Sequence, residues 1–145
     1  MAFTTRIKVR FGDVDRAGIA YYPNLYHFCH VAFEEFFEHF VGIPYPKLIE
    51  DENLGFPTVR VESYFRRPVK YGDTIEIRVG IARVGESSVT FEFRGARVGE
   101  GQLLFASSQT CVGVDMKTFQ PMRIPDGLRE TFRRAGAALE ESELD

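Results

Sequence analysis

Two carboxylates and a glycine stand just ahead of an apolar run in the segment FGDVDRAGIAYYPN, residues 11–24: Asp13, Asp15 and Gly18. A carboxylate in such a loop can attack an electrophilic carbonyl directly or activate a water that does so. Pro23 suits a first helical position, because its missing N–H would be unpaired there anyway, and this makes Tyr22 the N-cap. The N-terminus of a helix carries roughly half a positive charge and several unpaired N–H groups, so it can hold an oxyanion or polarise a carbonyl. With Pro23 silent, the donors at the helix start are the N–H groups of Tyr22, Asn24 and Leu25, and that of Tyr22 is nearest the aspartate loop. The sequence has no Gly-x-Ser-x-Gly elbow, and Cys29 belongs to an apolar stripe rather than an electropositive loop.

The elements that must position this loop follow from the periodicities. Thr4 to Arg10 alternates, with Ile7, Val9 and Phe11 on one side and Arg6, Lys8 and Arg10 on the other, which predicts a half-buried strand feeding the loop. After Pro23, the residues Leu25, Phe28, Cys29, Ala32, Phe33, Phe36 and Phe40 recur at spacings of three and four, so one long helix buries that stripe. Gly42, Pro44 and Pro46 stop it, and Lys47 to Asn53 predicts a short second helix. The period then becomes two. Val59, Val61, Ser63 and Phe65; Ile75, Ile77, Val79 and Ile81; Val89, Phe91 and Phe93; and the run Leu103 to Val114 predict four more strands, joined by short turns as an antiparallel meander. Pro125 opens a terminal helix carrying Leu128, Phe132, Ala135 and Leu139, with an acidic tail from Glu140 that frays. The expectation is one α+β domain over residues 1–145, a five-stranded antiparallel sheet curled around one long central helix with a C-terminal helix.

A formal charge of -3 and a pI near 5.7 argue against a nucleic-acid partner. Two cysteines, Cys29 and Cys111, make no disulfide framework and read as buried thiols in a reducing cytoplasm. No charged-then-apolar leader and no apolar run near 18 residues is present, so neither export nor a membrane is expected.

FGDVDRAGIAYYPN, the aromatic-rich helix behind it and FRRPVKYGD at a strand-turn-strand junction together resemble the 4-hydroxybenzoyl-CoA thioesterase family of the hot-dog fold, over nearly the whole chain. The resemblance implies an acyl-CoA thioesterase that hydrolyses an aromatic or short-to-medium acyl-CoA to free acid and CoA. It makes Asp15 the catalytic carboxylate, as nucleophile or as general base, and the Tyr22 N–H the group that polarises the thioester carbonyl. It also implies that the active site lies between subunits, so a homodimer or homotetramer is expected, with no metal or other cofactor.

Asp13 reads as a turn-forming carboxylate, and Gly18 as the bend before the helix that also lets backbone approach the substrate. Gly18, Asn24 and His30 are the expected substrate contacts. Counting from Asp15 without a gap, His30 falls where hydroxybenzoyl-specific members place a carboxylate that meets the ring hydroxyl, so the chain departs from that pattern. His27 and His39 read as polar-face residues lacking a second histidine or carboxylate at ligand spacing, and no metal site is expected. The anionic CoA needs a local positive site, for which Arg66, Arg67 and Lys70 around Pro68, and Arg83 with Ser87 and Ser88 in the next turn, are the candidates. Two rival readings are a hot-dog enoyl-thioester hydratase, which would want a histidine ahead of Tyr22, and a noncatalytic acyl-thioester binding module.

Overall fold

Apolar residues at helical spacing ahead of four alternating segments leave few ways to bury both faces, and the chain takes the one in which the sheet wraps the helix. A computed structural model of the protein describes residues 3–140. In chain order the elements are β1 (Phe3–Lys8), a 3-10 turn (Phe11–Asp13), α1 (Tyr22–Phe36) widening into a π turn (Phe37–Val41), α2 (Tyr45–Glu52), β2 (Leu54–Gly55), β3 (Thr58–Phe65), β4 (Thr74–Val84), β5 (Ser88–Arg97), β6 (Leu103–Val112), β7 (Val114–Asp115) and α3 (Asp126–Ala135). The five long strands form one antiparallel sheet in the order β1-β4-β5-β6-β3, and the short β2 and β7 pair separately.

The stripe on α1 buries as expected: Leu25, Phe28, Cys29, Ala32, Phe33 and Phe36 are all in the core. They meet Ile75, Ile77 and Val79 of β4 and Val89, Phe91 and Phe93 of β5, the inward half of each alternation. At the far end of the helix the assignment shifts. Phe37 is fully buried, against Tyr45 and Phe56 at ring-centroid distances of 5.2 and 6.0 Å, whereas Phe40 is only partly buried and stacks on Phe36. α2 and the chain behind it close over that flank of the helix, which the α1 pattern alone does not reveal.

The meander expected of four strands holds for three. β3 pairs with β6 at the far side of the sheet, not with β4, so the connection 66–73 is a crossing over one end of the sheet rather than a hairpin. Arg66 and Arg67 N–H both donate to the Leu104 carbonyl before Pro68, which has no N–H to continue the ladder. The chain then bridges Lys70 to Ile19, with the Ala20 N–H donating to Val69 O, and enters β4 beside β1. This crossing is what braces the aspartate loop.

Two further boundaries differ. The run Leu103 to Val114 is interrupted at Gly113, after which Val114 and Asp115 pair with β2. The terminal helix ends at Ala135. Gly136, at φ 71, turns the chain so that its carbonyl accepts from Ile81 N–H, just past the Phe3–Val79 pair of the β1–β4 register, and Ala138 N–H then donates to the buried Glu92 carboxylate. Gly80 makes room for this strap: a Cβ there would lie 2.4 Å from Ala138 N. Leu139 is therefore buried by the strap rather than by a helical stripe. The described part of the acidic tail stops at Glu140, and the expected fraying concerns residues beyond it, outside the described range.

Candidate active site

The loop between β1 and α1 is a tight hairpin rather than a loose connection. Val14 bridges Ala20 in antiparallel fashion, Asp15 N–H donates to Ile19 O, and Gly18 N–H donates back to Asp15 O. Gly18 sits at φ 80, a left-handed conformation that side chains other than glycine resist, and it supplies the bend. Asp13 plays the fixing role: its Oδ2 accepts from Arg10 N–H at 2.8 Å, and its carbonyl accepts from the Asn24 side-chain amide at 2.7 Å. Asn24 thus ties the first turn of α1 to the loop.

Asp15 is left with one oxygen to use. Its Oδ1 accepts from Ala17 N–H at 2.8 Å, an Asx turn that orients the carboxylate, and among the described residues Oδ2 has no partner. The residue is exposed. Two residues past the Val14–Ala20 bridge, α1 begins. The N-cap is Tyr21, not Tyr22, and Tyr22 is the first helical residue with Pro23 behind it. The shift of one position follows from the extended backbone at Tyr21 (φ -64, ψ 133), whose carbonyl accepts from Asn24 N–H at 2.8 Å. It leaves the Tyr22 N–H where a first-turn donor has no acceptor inside the helix.

Beside this turn opens a cleft of about 330 Å³, walled by Ile19, Ala20, Tyr22, Leu25 and Phe65 and flanked by Arg66 and Arg67. Arg67 is anchored to the Leu103 carbonyl at 2.9 Å, and the Arg66 guanidinium lies 5.5 Å from the Tyr64 ring centre. Lys70 is exposed on the crossing segment next to them. Arg83, Ser87 and Ser88 are elsewhere. They lie at the opposite end of β4, an 11-residue strand that spans about 33 Å at the usual rise. Within one chain the two groups of candidate CoA contacts are not brought together.

The crossing segment owes its shape to Arg97, which sequence reasoning passed over. Its guanidinium donates to Asp73 Oδ2 at 2.9 Å, to the Pro68 carbonyl at 3.2 Å and to Glu100 at 2.9 Å. Burial alone would push the Asp73 carboxyl up, but hydrogen bonds from Arg97 and Lys70 N–H, together with the Arg97 charge, outweigh it and hold it below the ordinary carboxylate range. A depressed carboxylate stabilises the fold at neutral pH and loses that contribution as pH falls through its folded value, below about pH 4. Arg97→Met is expected to cost about 2 kcal/mol at pH 7 and less at pH 3. Denaturant midpoints of both proteins at the two pH values check this; an equal gap at both would show that the pair is not what links stability to acid.

His30 lines a second cavity, about 280 Å³, between α1 and the inner face of the sheet, with Phe33, Tyr45, Phe56, Thr58, Phe91, Gln109 and Cys111 among its walls. Its Nε2 is 2.9 Å from Glu34, one turn along the helix. His27 is an exposed polar-face residue, as expected. His39 is not without carboxylates at ligand spacing: its Nε2 lies 2.9 Å from Glu35 and 3.2 Å from Glu38, because i, i+4 and i, i+1 neighbours converge at the widened end of α1. These groups sit on the outer surface of the helix, away from the cleft. Both cysteines are buried and free; burial pushes the Cys29 thiol up to about 12, which removes it as a nucleophile at neutral pH. No helix among the described residues is long and apolar enough to cross a membrane.

The sequence profile of the thioesterase-like superfamily matches residues 9–132 of the chain, from the end of β1 through most of α3. The chain belongs to this superfamily. Among the relatives of this thioesterase-like protein, the 1,4-dihydroxy-2-naphthoyl-CoA hydrolase of Prochlorococcus marinus (strain MIT 9303) is 29% identical over 136 residues, covering 88% of this chain and 87% of its own. A hydrolase of the same name from Nostoc punctiforme (strain ATCC 29133 / PCC 73102) is 29% identical over 145 residues, covering 97% and 95%. Solved structures give the same picture. A thioesterase superfamily protein from Jannaschia sp. CCS1 superposes with a TM-score of 0.87 at 30% identity over 94% of both chains, and a gentisyl-coenzyme A thioesterase with 0.78 at 29% over 88% of this chain and 99% of its own. The fold is thus the hot-dog thioesterase fold.

Proposed function

We propose that the protein hydrolyses an aromatic acyl-CoA to the free acid and CoA, with Asp15 as the catalytic carboxylate and the Tyr22 N–H as the donor to the thioester carbonyl. The observation that supports this is a carboxylate oriented by an Asx turn in the hairpin that leads into α1, ahead of a first-turn N–H with no acceptor among the described residues, at a residue that walls a cleft. A donor aimed at a developing oxyanion is worth about 3 kcal/mol of barrier when lost elsewhere. Water supplies the hydroxyl of the acid, and CoA leaves as the thiol; Asp15 either forms a mixed anhydride that water opens or takes the proton from an attacking water. The relatives' names favour an aromatic acyl group, and His30, in place of a carboxylate, argues against 4-hydroxybenzoyl-CoA as the preferred member. Released thiol, followed across a panel of aromatic and aliphatic acyl-CoAs, tests the reading; no turnover of any member, or hydration of an enoyl-CoA instead, would overturn it.

The working unit is a homodimer built through β3. That strand ends the sheet with one edge unpaired among the described residues, and Val59, Val61 and Phe65 on it and Tyr21 and Tyr22 beside it are exposed. Such an edge invites pairing with a second copy. Antiparallel pairing of β3 with itself would set the partner's Arg83, Ser87 and Ser88 beside this subunit's helix mouth, since they share the sheet end where β3 begins while Asp15 lies where it ends. The two groups of candidate CoA contacts would then meet across the interface. Solution mass should be that of a dimer or a multiple of it, and a monomer with full activity would contradict this arrangement.

His30 shapes acyl choice rather than the chemistry. His30→Ala should shift the ratio of rates across the acyl panel while leaving hydrolysis of some members intact; an unchanged profile would remove His30 from the acyl pocket.

A further inference from the structure

The inward face of β6 reads Phe105, Ser107, Gln109 and Cys111, and opposite its last three positions β5 places Phe93, Phe91 and Val89. Ser63 of β3 pairs with Ser107 and interrupts its own apolar alternation on the same face. These interruptions are joined. Tyr26 of α1 donates its hydroxyl proton to Ser63 Oγ at 3.0 Å, Ser63 and Ser107 are 2.9 Å apart, and Gln109 Nε2 donates to Ser107 Oγ at 3.2 Å. Ser107 is only 2% exposed.

The donors and acceptors of this seam do not balance. Only one serine proton is used between Ser63 and Ser107, so the other serine proton and the second Gln109 N–H have no acceptor among the described residues, and Gln109 Oε1 has no donor. Such groups discriminate strongly between a ligand that completes them and one that does not. Gln109 also lines the 280 Å³ cavity, whose Phe33, Tyr45, Phe56, Phe91 and Phe93 walls suit a flat ring. The position fits as well. Tyr26, which bonds Ser63, and His30 lie one and two turns along α1 from Tyr22, about 6 and 12 Å by helical rise, so the seam stands at a height that the far edge of an aryl group would reach with its carbonyl at Tyr22 N–H.

We propose that Gln109, held by Ser107 and Ser63, is a specificity-determining residue that reads a ring hydroxyl on the acyl group. This rests on the hydrolase reading above. The Gln109 carbonyl accepts the phenolic proton, and the seam's spare N–H or O–H donates to the phenolic oxygen. An acyl ring without the hydroxyl leaves those groups unpaired inside the cavity and is turned over less efficiently.

The test compares benzoyl-CoA with 2-, 3- and 4-hydroxybenzoyl-CoA by released thiol. Wild type should favour at least one hydroxylated isomer over benzoyl-CoA by about tenfold or more in kcat/KM. In Gln109→Met, of similar length and without hydrogen-bonding groups, that ratio should fall toward one, with the loss falling on the hydroxylated substrate. Ser107→Ala, which frees Gln109 from its anchor, should lower the ratio in the same direction and serves if the methionine variant does not fold. A wild-type ratio near one, or a preference kept in both variants, overturns the role of Gln109 while leaving hydrolysis standing. Turnover of none of these and of no other acyl-CoA overturns the hydrolase reading and this one with it.

Discussion

Replacing Asp15 by Asn should lower thiol release from a turned-over acyl-CoA by about three orders of magnitude and leave the folded protein as stable as before. The substitution is a clean one. Asparagine keeps an oxygen that can accept from Ala17 N–H, so the Asx turn and the Gly18 bend survive, while the charge needed for attack or proton abstraction is gone. Asp15 is exposed and makes no ion pair among the described residues, so its loss removes no packing seen there. Steady-state rates beside a thermal melt read both halves of the expectation. A variant that keeps most of its rate would move the chemistry away from Asp15, and a large drop in melting temperature would make the rate uninterpretable as chemistry. Asp13→Asn makes a useful contrast, since Asp13 serves the loop through Arg10 N–H and its own carbonyl.

Phe132→Ala should be the most damaging of the core substitutions outside the candidate site, at about 3–5 kcal/mol. Phe132 is fully buried and is the point where α3 joins the helix and the sheet: its ring centre lies 5.7 Å from Phe91, 5.9 Å from Phe56, 6.1 Å from Phe37 and 6.4 Å from Phe36. Those four rings come from four different elements or connections, so the cavity left by alanine has walls that cannot all relax toward it. At this chain length the expected drop in melting temperature is about 10 °C. A drop of only a degree or two would mean that α3 rides on the domain rather than completing its core.

The aspartate loop, the helix stripe and the strand alternations were legible because each is written in local spacing. The sheet order was not. A strand at Thr58–Phe65 followed by a turn-rich segment reads as half of a hairpin, and nothing in those letters says that β3 leaves β4 to pair with β6. That choice is made by partners distant in sequence, through Arg66 and Arg67 N–H on Leu104 and the Arg97 clamp on Asp73. The helix start was misplaced by one residue for a related reason: proline is tolerated at either of the first helical positions, and only the extended backbone of Tyr21 decides. The terminal helix overran because Leu139 keeps the spacing while Gly136 breaks the backbone. The polar seam had a visible signal, serine and glutamine at inward positions of otherwise apolar strands, but its meaning depends on Tyr26 lying opposite.

Hydrolysis by Asp15 requires a thioester carbonyl lodged between Asp15 and the first turn of α1. The most direct measurement is a crystal structure of the protein with an acyl-CoA analogue in which a methylene replaces the thioester sulfur, so that the carbonyl persists. The carbonyl oxygen is expected about 3 Å from Tyr22 N, and an Asp15 carboxylate oxygen, or one bridging water, about 3 to 3.5 Å from the carbonyl carbon. An analogue bound with its carbonyl away from the helix mouth, and Asp15 facing solvent, would contradict it.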